Sequence, residues 1–305
     1  MPVKKINKGV YAAVTTPITS TLKPDLSRLG DHCEWLLENG CTGLAPLGTT
    51  SEANSLRLGD RLDIIRFLKN SNLPKERIIV GTGSSSLNEA IEVSTSALEA
   101  GFQNLLMLPP YYYKNPTEDG LYEFFSILAN SIADFKPCIF LYNFPQMTTI
   151  PFTLALVKRL RSSYPGIFLG MKDSSGDFMN TLSFIKEFDD FIAFSGSEEL
   201  IHKNLDSGGY GCISASTNIT APIVSSSLTE QNPKDKENLL KKAASIRGLL
   251  SRKQMISGIK GSLSMLKKDS SWSKTIPPIE EMASEEAFLL VQDILRIQDI
   301  SPLFK

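Results

Sequence analysis

Eight short apolar runs with segments of helical period between them, then a tail of helices alone, predict an α/β fold. The expected architecture is a (β/α)8 TIM barrel with a C-terminal helical appendix. The runs are "GVYAAVTT" (9–16), "TGLAPLG" (42–48), "RIIVGTG" (77–83), "FQNLLML" (102–108), "CIFLYN" (138–143), "IFLGMKD" (167–173), "FIAFSG" (191–196) and "GCISAS" (211–216). They are apolar throughout rather than alternating, the pattern of parallel strands covered on both faces. A doubly wound open sheet is the rival. It usually has fewer strands and needs a phosphate fingerprint, and "GTGSSS" (81–86) lacks the G-x-G-x-x-G spacing.

The helices follow in order. In 25–40 the residues Leu26, Leu29, Cys33, Leu36 and Leu37 form one stripe, with Asp25 as N-cap and Gly40 as stop. Segment 84–101 repeats the design with Leu87, Ala90, Ile91, Ala97 and Leu98, and ends in Gly101. Segment 118–132 puts Leu121, Phe124, Phe125, Leu128 and Ile132 on one side, and 151–160, 178–188 and 198–205 fit the same period. From about residue 232 the strand signal stops. Residues 233–268 and 284–300 read as amphipathic helices around the turn "TIPPIE". The expected organisation is a barrel catalytic domain over 1–231 and a helical domain over 232–305.

Composition narrows the function. The chain has 305 residues, 42% hydrophobic, with 32 basic and 33 acidic residues and a net charge of −1. No basic field points to nucleic acid or an anionic membrane as a partner. No apolar run is long enough to span a bilayer, and none follows the charged start "MPVKKINKGV", so a cytoplasmic protein without a signal peptide is expected. Cys33, Cys41, Cys138 and Cys212 have no C-x-x-C spacing and read as buried free thiols. His32 and His202, the only histidines, both fall in helical patterns, which argues against a His-based metal site and a Ser-His-Asp triad.

In such a barrel, catalytic groups come from the C-terminal strand ends and the loops after them. Those ends supply Thr15 and Thr16; "GTTSE" (48–52); Tyr111, Tyr112 and Tyr113; "YNFP" (142–145); Lys172 and Asp173; "SGSE" (195–198); and Ile213 to Ser216. The set holds one amine, tyrosines from two strands and a hydroxyl and amide cluster. An amine in an apolar surround has its pKa lowered by desolvation, and a neutral amine can attack a ketone to form a Schiff base. Tyrosines can then move protons, and the hydroxyls and amides of "GTTS" suit a carboxylate. Taken singly, each feature has another reading. Lys172 fits an ion pair with Asp173, and the tyrosine triplet fits packing or an interface. "GTTS" and "YNFP" fit turns, and Glu198 and Glu199 fit a helix start.

With "GTTSE", "YNFP" and "GMKDSSGD" in this order and spacing, the chain resembles the dihydrodipicolinate synthase and N-acetylneuraminate lyase group of pyruvate-dependent class I aldolases. The resemblance covers the barrel and the helical tail. It implies a homotetramer, usually a dimer of dimers, with no metal or organic cofactor. Lys172 matches the lysine that forms the Schiff base with pyruvate or a 2-oxo acid. Tyr142 matches the proton-shuttling tyrosine, and Thr49 and Thr50 the pair that holds the carboxylate and helps the relay. The tyrosine that crosses the dimer interface matches Tyr112 when aligned from the preceding proline, and Tyr113 when aligned from Gly120. Gly196 and Ile213 match positions lining the pocket.

Two departures bear on substrate. The synthases carry an arginine two residues after the proline of the tyrosine motif, where it binds the carboxylate of aspartate semialdehyde; here that residue is Met147. A thioether cannot replace a bidentate guanidinium. Glu198 and Glu199 fall where the neuraminate lyases set acids against sugar hydroxyls, and Ser51 replaces a usual glycine. The expected activity is a Schiff-base lyase that cleaves or forms a carbon–carbon bond between pyruvate and an aldehyde. Its expected substrate is a 2-keto-3-deoxy sugar acid, N-acetylneuraminate or 4-hydroxy-2-oxoglutarate, with dehydration of such a sugar acid also open. The alternatives are the synthase itself, condensing pyruvate with aspartate semialdehyde, and a non-catalytic 2-oxo-acid-binding paralogue.

Overall fold

The structure is a computed structural model that describes residues 6–304; the first five residues of the charged start lie outside it. Eight parallel strands form one sheet: β1 (Gly9–Ala12), β2 (Gly43–Leu44), β3 (Ile79–Gly81), β4 (Asn104–Met107), β5 (Cys138–Asn143), β6 (Phe168–Asp173), β7 (Ile192–Ser195) and β8 (Gly211–Ser214). Their spatial order is β2-β1-β8-β7-β6-β5-β4-β3, and a parallel bridge from Leu44 to Ile78 joins the two edges, so the sheet is a nearly closed barrel. Each strand lies inside one of the eight apolar runs.

Strand alternation divides the apolar residues into two cores. Tyr11, Ile79, Leu106, Phe140, Phe194 and Ile213 fill the barrel's interior. Val10, Val80, Leu105, Ile139, Met171 and Cys212 point outwards and pack under the helices. Both faces are dry, which explains runs with no polar alternation. All four cysteines are buried, and none is in a disulfide among the described residues. Burial pushes the Cys33 and Cys41 thiols up to about 12, so they are inert at neutral pH.

The helices start where a side chain caps them. Asp25, Ser86, Thr117, Thr153 and Asp177 each accept a backbone N–H at the head of Leu26–Glu38, Leu87–Glu99, Glu118–Ile132, Leu154–Ser163 and Phe178–Glu187. The segment at 198–205 is a 3-10 turn, Glu198–Leu200, followed by a short helix, Ile201–Asp206. Three helices have no counterpart in the sequence reading: Leu58–Asn70, the single turn Pro145–Thr148 and Thr217–Thr229. Thr217–Thr229 contains Pro222 and is buried on most sides, so it shows no amphipathic stripe.

The tail consists of Pro233–Leu250, Met255–Leu266 and Ser284–Ile297. The first packs along Thr217–Thr229, and the second packs against the third. Among the described residues no helix is long and apolar enough to cross a membrane. The tail matters for function because it reaches over the C-terminal ends of the strands.

Candidate active site

The site begins with the register of three strands. Tyr142 on β5 pairs with Lys172 on β6, which pairs with Phe194 on β7. A register shift between Ile139 and Phe140 sets the first pairing. Gly170 allows β6 and β7 to approach: a Cβ there would lie 2.0 Å from the Ile192 carbonyl oxygen. Because successive residues face opposite ways, Lys172 points into the barrel and Asp173 points out.

That alternation resolves the ion-pair reading. The Asp173 carboxylate accepts from Asn143 Nδ2 (2.9 Å), the Ser175 amide (2.9 Å), Asn180 Nδ2 (2.8 Å) and Thr181 Oγ1 (2.8 Å). It is satisfied without Lys172 and braces the loop "SSGD" against its helix. Lys172 Nζ lies over the Tyr142 ring, 4.1 Å from its centroid, and has no salt bridge among the described residues. Lys172 is buried, so this amine sits in a mainly apolar, aromatic surround.

The Tyr142 ring stacks on Phe144, and its hydroxyl lies 3.5 Å from Thr49 Oγ1. Thr49 and Thr50 belong to a 3-10 turn, Thr49–Ser51, that follows Gly48 and ends at Glu52 in the left-handed region (φ 56°). Ser51, in place of a usual glycine, is buried and donates to the Val14 carbonyl (2.5 Å), tying the turn to the strand-one loop. Glu52 is fully buried and forms a salt bridge with Lys260 of the tail; its Oε2 also accepts from the Ile276 amide (2.6 Å). Burial pulls the Lys260 ammonium down and the neighbouring carboxylate pulls it back up. The tail therefore anchors the turn that carries the two threonines.

A cavity of about 740 Å³ opens above these groups. Lys172, Tyr142, Thr49, Thr50, Gly196 and Met147 all lie on its wall. Gly196 is forced by proximity, since a Cβ there would lie 2.1 Å from Ser174 Oγ. Met147 is exposed at the mouth. Barrel loops supply more of the wall, and the tail adds Arg247, Lys253, Met255 and Ile279 among others, none of which the sequence marked. In sequence these are ordinary positions on an amphipathic helix or a proline turn.

Four expected site residues do not line this chain's own cavity. Ile213 is fully buried in the barrel's interior below the cavity lining. Tyr112 and Tyr113 stand 71% and 79% exposed on the β4 loop, packed edge to face, and neither lines the cavity. Glu198, expected to face substrate hydroxyls, does not line the cavity: its carboxylate is fully buried and accepts from Ser214, Ser216 and Thr220 and from the Arg247 guanidinium. An acid with four protein donors has no acceptor capacity left to offer a sugar.

Among the described residues no group of three or more His, Cys, Asp or Glu side chains could hold a metal ion. The available chemistry is that of one amine, one phenol and two threonine hydroxyls at the floor of a deep, largely apolar cavity.

Comparison with known proteins agrees with this geometry. A family model described as the dihydrodipicolinate synthetase family matches residues 6–296. The 4-hydroxy-tetrahydrodipicolinate synthase of Methanopyrus kandleri is 35% identical over 219 residues, 71% of each chain. Dihydrodipicolinate synthase from Agrobacterium tumefaciens superposes with a TM-score of 0.85 at 29% identity, over 96% of this chain and 100% of that one. YagE, a prophage protein of E. coli K12 in the same family, solved in complex with pyruvate, also gives a TM-score of 0.85. It is 25% identical and covers 96% of this chain and 99% of its own.

Proposed function

Because the chain belongs to the dihydrodipicolinate synthetase family, whose members are class I pyruvate-dependent lyases that need no cofactor, we propose that Lys172 is its Schiff-base lysine. The observation that carries this reading is the Lys172 amine itself: buried, unpaired and held over the Tyr142 ring at the floor of the cavity.

The steps follow from the groups present. The Lys172 amine adds to the 2-oxo carbon of the substrate, and loss of water gives the protonated imine. Tyr142 takes the proton from the hydroxyl on the carbon that will leave, the carbon–carbon bond breaks, and its electron pair flows into the imine to give an enamine. Protonation of the enamine and hydrolysis release pyruvate and regenerate the amine. Thr49 and Thr50 hold the 2-oxo acid's carboxylate, and the Thr49 hydroxyl beside Tyr142 continues the proton path. Thr50 and the Tyr112 that a neighbouring subunit contributes complete that relay to solvent. The assembly in this reading is a homotetramer, a dimer of dimers, with the exposed Tyr112–Tyr113 pair reaching the neighbouring subunit.

For substrate we propose a 2-oxo acid with a hydroxyl two carbons from the ketone, cleaved to pyruvate and an aldehyde: a 2-keto-3-deoxy sugar acid or 4-hydroxy-2-oxoglutarate. Met147 on the cavity wall supplies no charge where the synthases carry an arginine, so a second carboxylate would have to find its cation elsewhere on the wall than the synthases place it. The burial of Glu198 leaves only Glu199 of the two acids that pointed to N-acetylneuraminate, so that substrate ranks lower. A panel of 2-oxo acids, read by pyruvate release, tests the proposal. Condensation of pyruvate with aspartate semialdehyde faster than any cleavage in the panel would overturn it in favour of the synthase.

A further inference from the structure

The cavity is far larger than a three-carbon 2-oxo acid fills, and part of its wall is built by the tail. On that part stands Arg247, from the helix Pro233–Leu250, with its side chain 25% exposed. Its surroundings are highly organised. Nη1 donates to Ser214 Oγ (3.0 Å), Ser216 Oγ (2.9 Å) and Glu198 Oε2 (3.3 Å). The same two serine hydroxyls donate onward to the Glu198 carboxylate, which also takes Thr220 Oγ1 (2.9 Å). Glu198 comes from the β7 loop, the serines from the end of β8 and the arginine from the tail, so three segments converge to fix one guanidinium.

All three bonds fall on Nη1. Among the described residues Nε and Nη2 have no protein partner, and together they form the side edge of the guanidinium fork, which matches a carboxylate bidentately. The acids on the cavity wall do not compete for that edge. Glu52 is engaged by Lys260 and the Ile276 amide, and Asp173 by its four donors. Of the other two cations on the wall, Lys253 is paired with Glu286 (2.6 Å), which leaves the free edge of Arg247 and the Lys172 amine to meet an anionic substrate.

We propose that Arg247 is the anion-binding residue for the aldehyde half of the substrate, and that this half carries a second carboxylate. The inference rests on the lyase reading above and narrows it. With the 2-oxo acid end at Thr49, Thr50 and Lys172, the distal carboxylate docks on Arg247 Nε and Nη2, taking the part that Met147 cannot play. The substrate class is then a 2-oxo diacid such as 4-hydroxy-2-oxoglutarate, cleaved to pyruvate and glyoxylate, rather than a sugar acid with a neutral tail. Glu198, Ser214 and Ser216 are positioning residues that act through Arg247.

The test compares kcat/KM for 4-hydroxy-2-oxoglutarate and for 2-keto-3-deoxygluconate in the wild type, Arg247→Met and Arg247→Lys, alongside borohydride trapping of pyruvate on the wild type. The expected result is a wild-type preference for the diacid. Arg247→Met should lower the diacid's kcat/KM roughly ten- to hundredfold more than the monoacid's, chiefly through KM, the loss expected for one charge-assisted pair. Arg247→Lys should restore part of it. If Arg247→Met does not fold, Arg247→Gln, whose amide can still donate to the serines, carries the same comparison. Equal losses for both substrates, or no wild-type preference for the diacid, would overturn the role of Arg247. Failure to trap pyruvate on Lys172 would overturn the lyase reading instead, so the two failures are distinguishable.

Discussion

Replacing Lys260 by methionine isolates the connection between the helical tail and the threonine turn. The substitution keeps most of the side-chain volume but deletes the ammonium from a pair in which both side chains are fully buried. Glu52 would retain one hydrogen bond, from the Ile276 amide (2.6 Å), and the Lys274 carbonyl would lose the donor now 2.8 Å away. Leaving a buried carboxylate without its cation costs about 3–5 kcal/mol, a large share of the roughly 5–15 kcal/mol typical of a folded protein. Glu52→Gln keeps an acceptor for Lys260 and should cost less, about 1–3 kcal/mol. The double variant Glu52→Gln, Lys260→Met leaves no buried charge, so its loss should be smaller than the sum of the two single losses by at least about 1 kcal/mol. Urea denaturation at neutral pH measures all three. The Lys260→Met protein should also show a raised KM for the 2-oxo acid, because Glu52 directly follows the Thr49–Ser51 turn. A Lys260→Met loss below about 1 kcal/mol, or strict additivity in the double variant, would refute the claim that this pair holds the turn.

Two other substitutions probe separate parts of the molecule. Tyr142→Phe removes the hydroxyl 3.5 Å from Thr49 but keeps the ring under the Lys172 amine; turnover should fall roughly 100- to 10,000-fold, the range for a lost general acid–base, measured by steady-state pyruvate release. His32 is fully buried, donates to Asn218 Oδ1 (2.9 Å), and is pushed down to about 3 chiefly by that burial. The unfolded chain binds this proton below about 6.5 and the folded one does not, so stability is fully present above that pH and is lost as pH falls towards about 3. His32→Gln should therefore lose about 2–3 kcal/mol less than the wild type between about pH 8 and about pH 4.5 in urea titrations. Parallel losses in the two proteins would show that His32 does not carry this acid sensitivity.

The barrel was legible because strands covered on both faces must be apolar throughout, and each of the eight runs contains one. Even β2, only Gly43–Leu44, lies in its run, which Pro46 cuts short. The helix Thr217–Thr229 was illegible for the opposite reason: buried on most sides, it has no polar face to set a period. At the site, strand alternation alone separates Lys172 from Asp173, although adjacency in sequence had suggested a pair. The sequence could not show which tail residues reach the cavity. Lys260 and Arg247 read as the polar face of amphipathic helices, and only the packing of the tail on the barrel buries the first and turns the second towards the cavity. Glu198 was ambiguous between helix start and substrate contact, and three hydroxyl partners, none adjacent to it in sequence, decide its place.

Borohydride reduction in the presence of pyruvate, followed by intact mass and peptide mapping, asks whether the Lys172 amine is the nucleophile. One reduced pyruvate adduct per chain is expected, located on Lys172, and none in Lys172→Ala. An adduct on a different lysine, or undiminished turnover in Lys172→Ala, would contradict it.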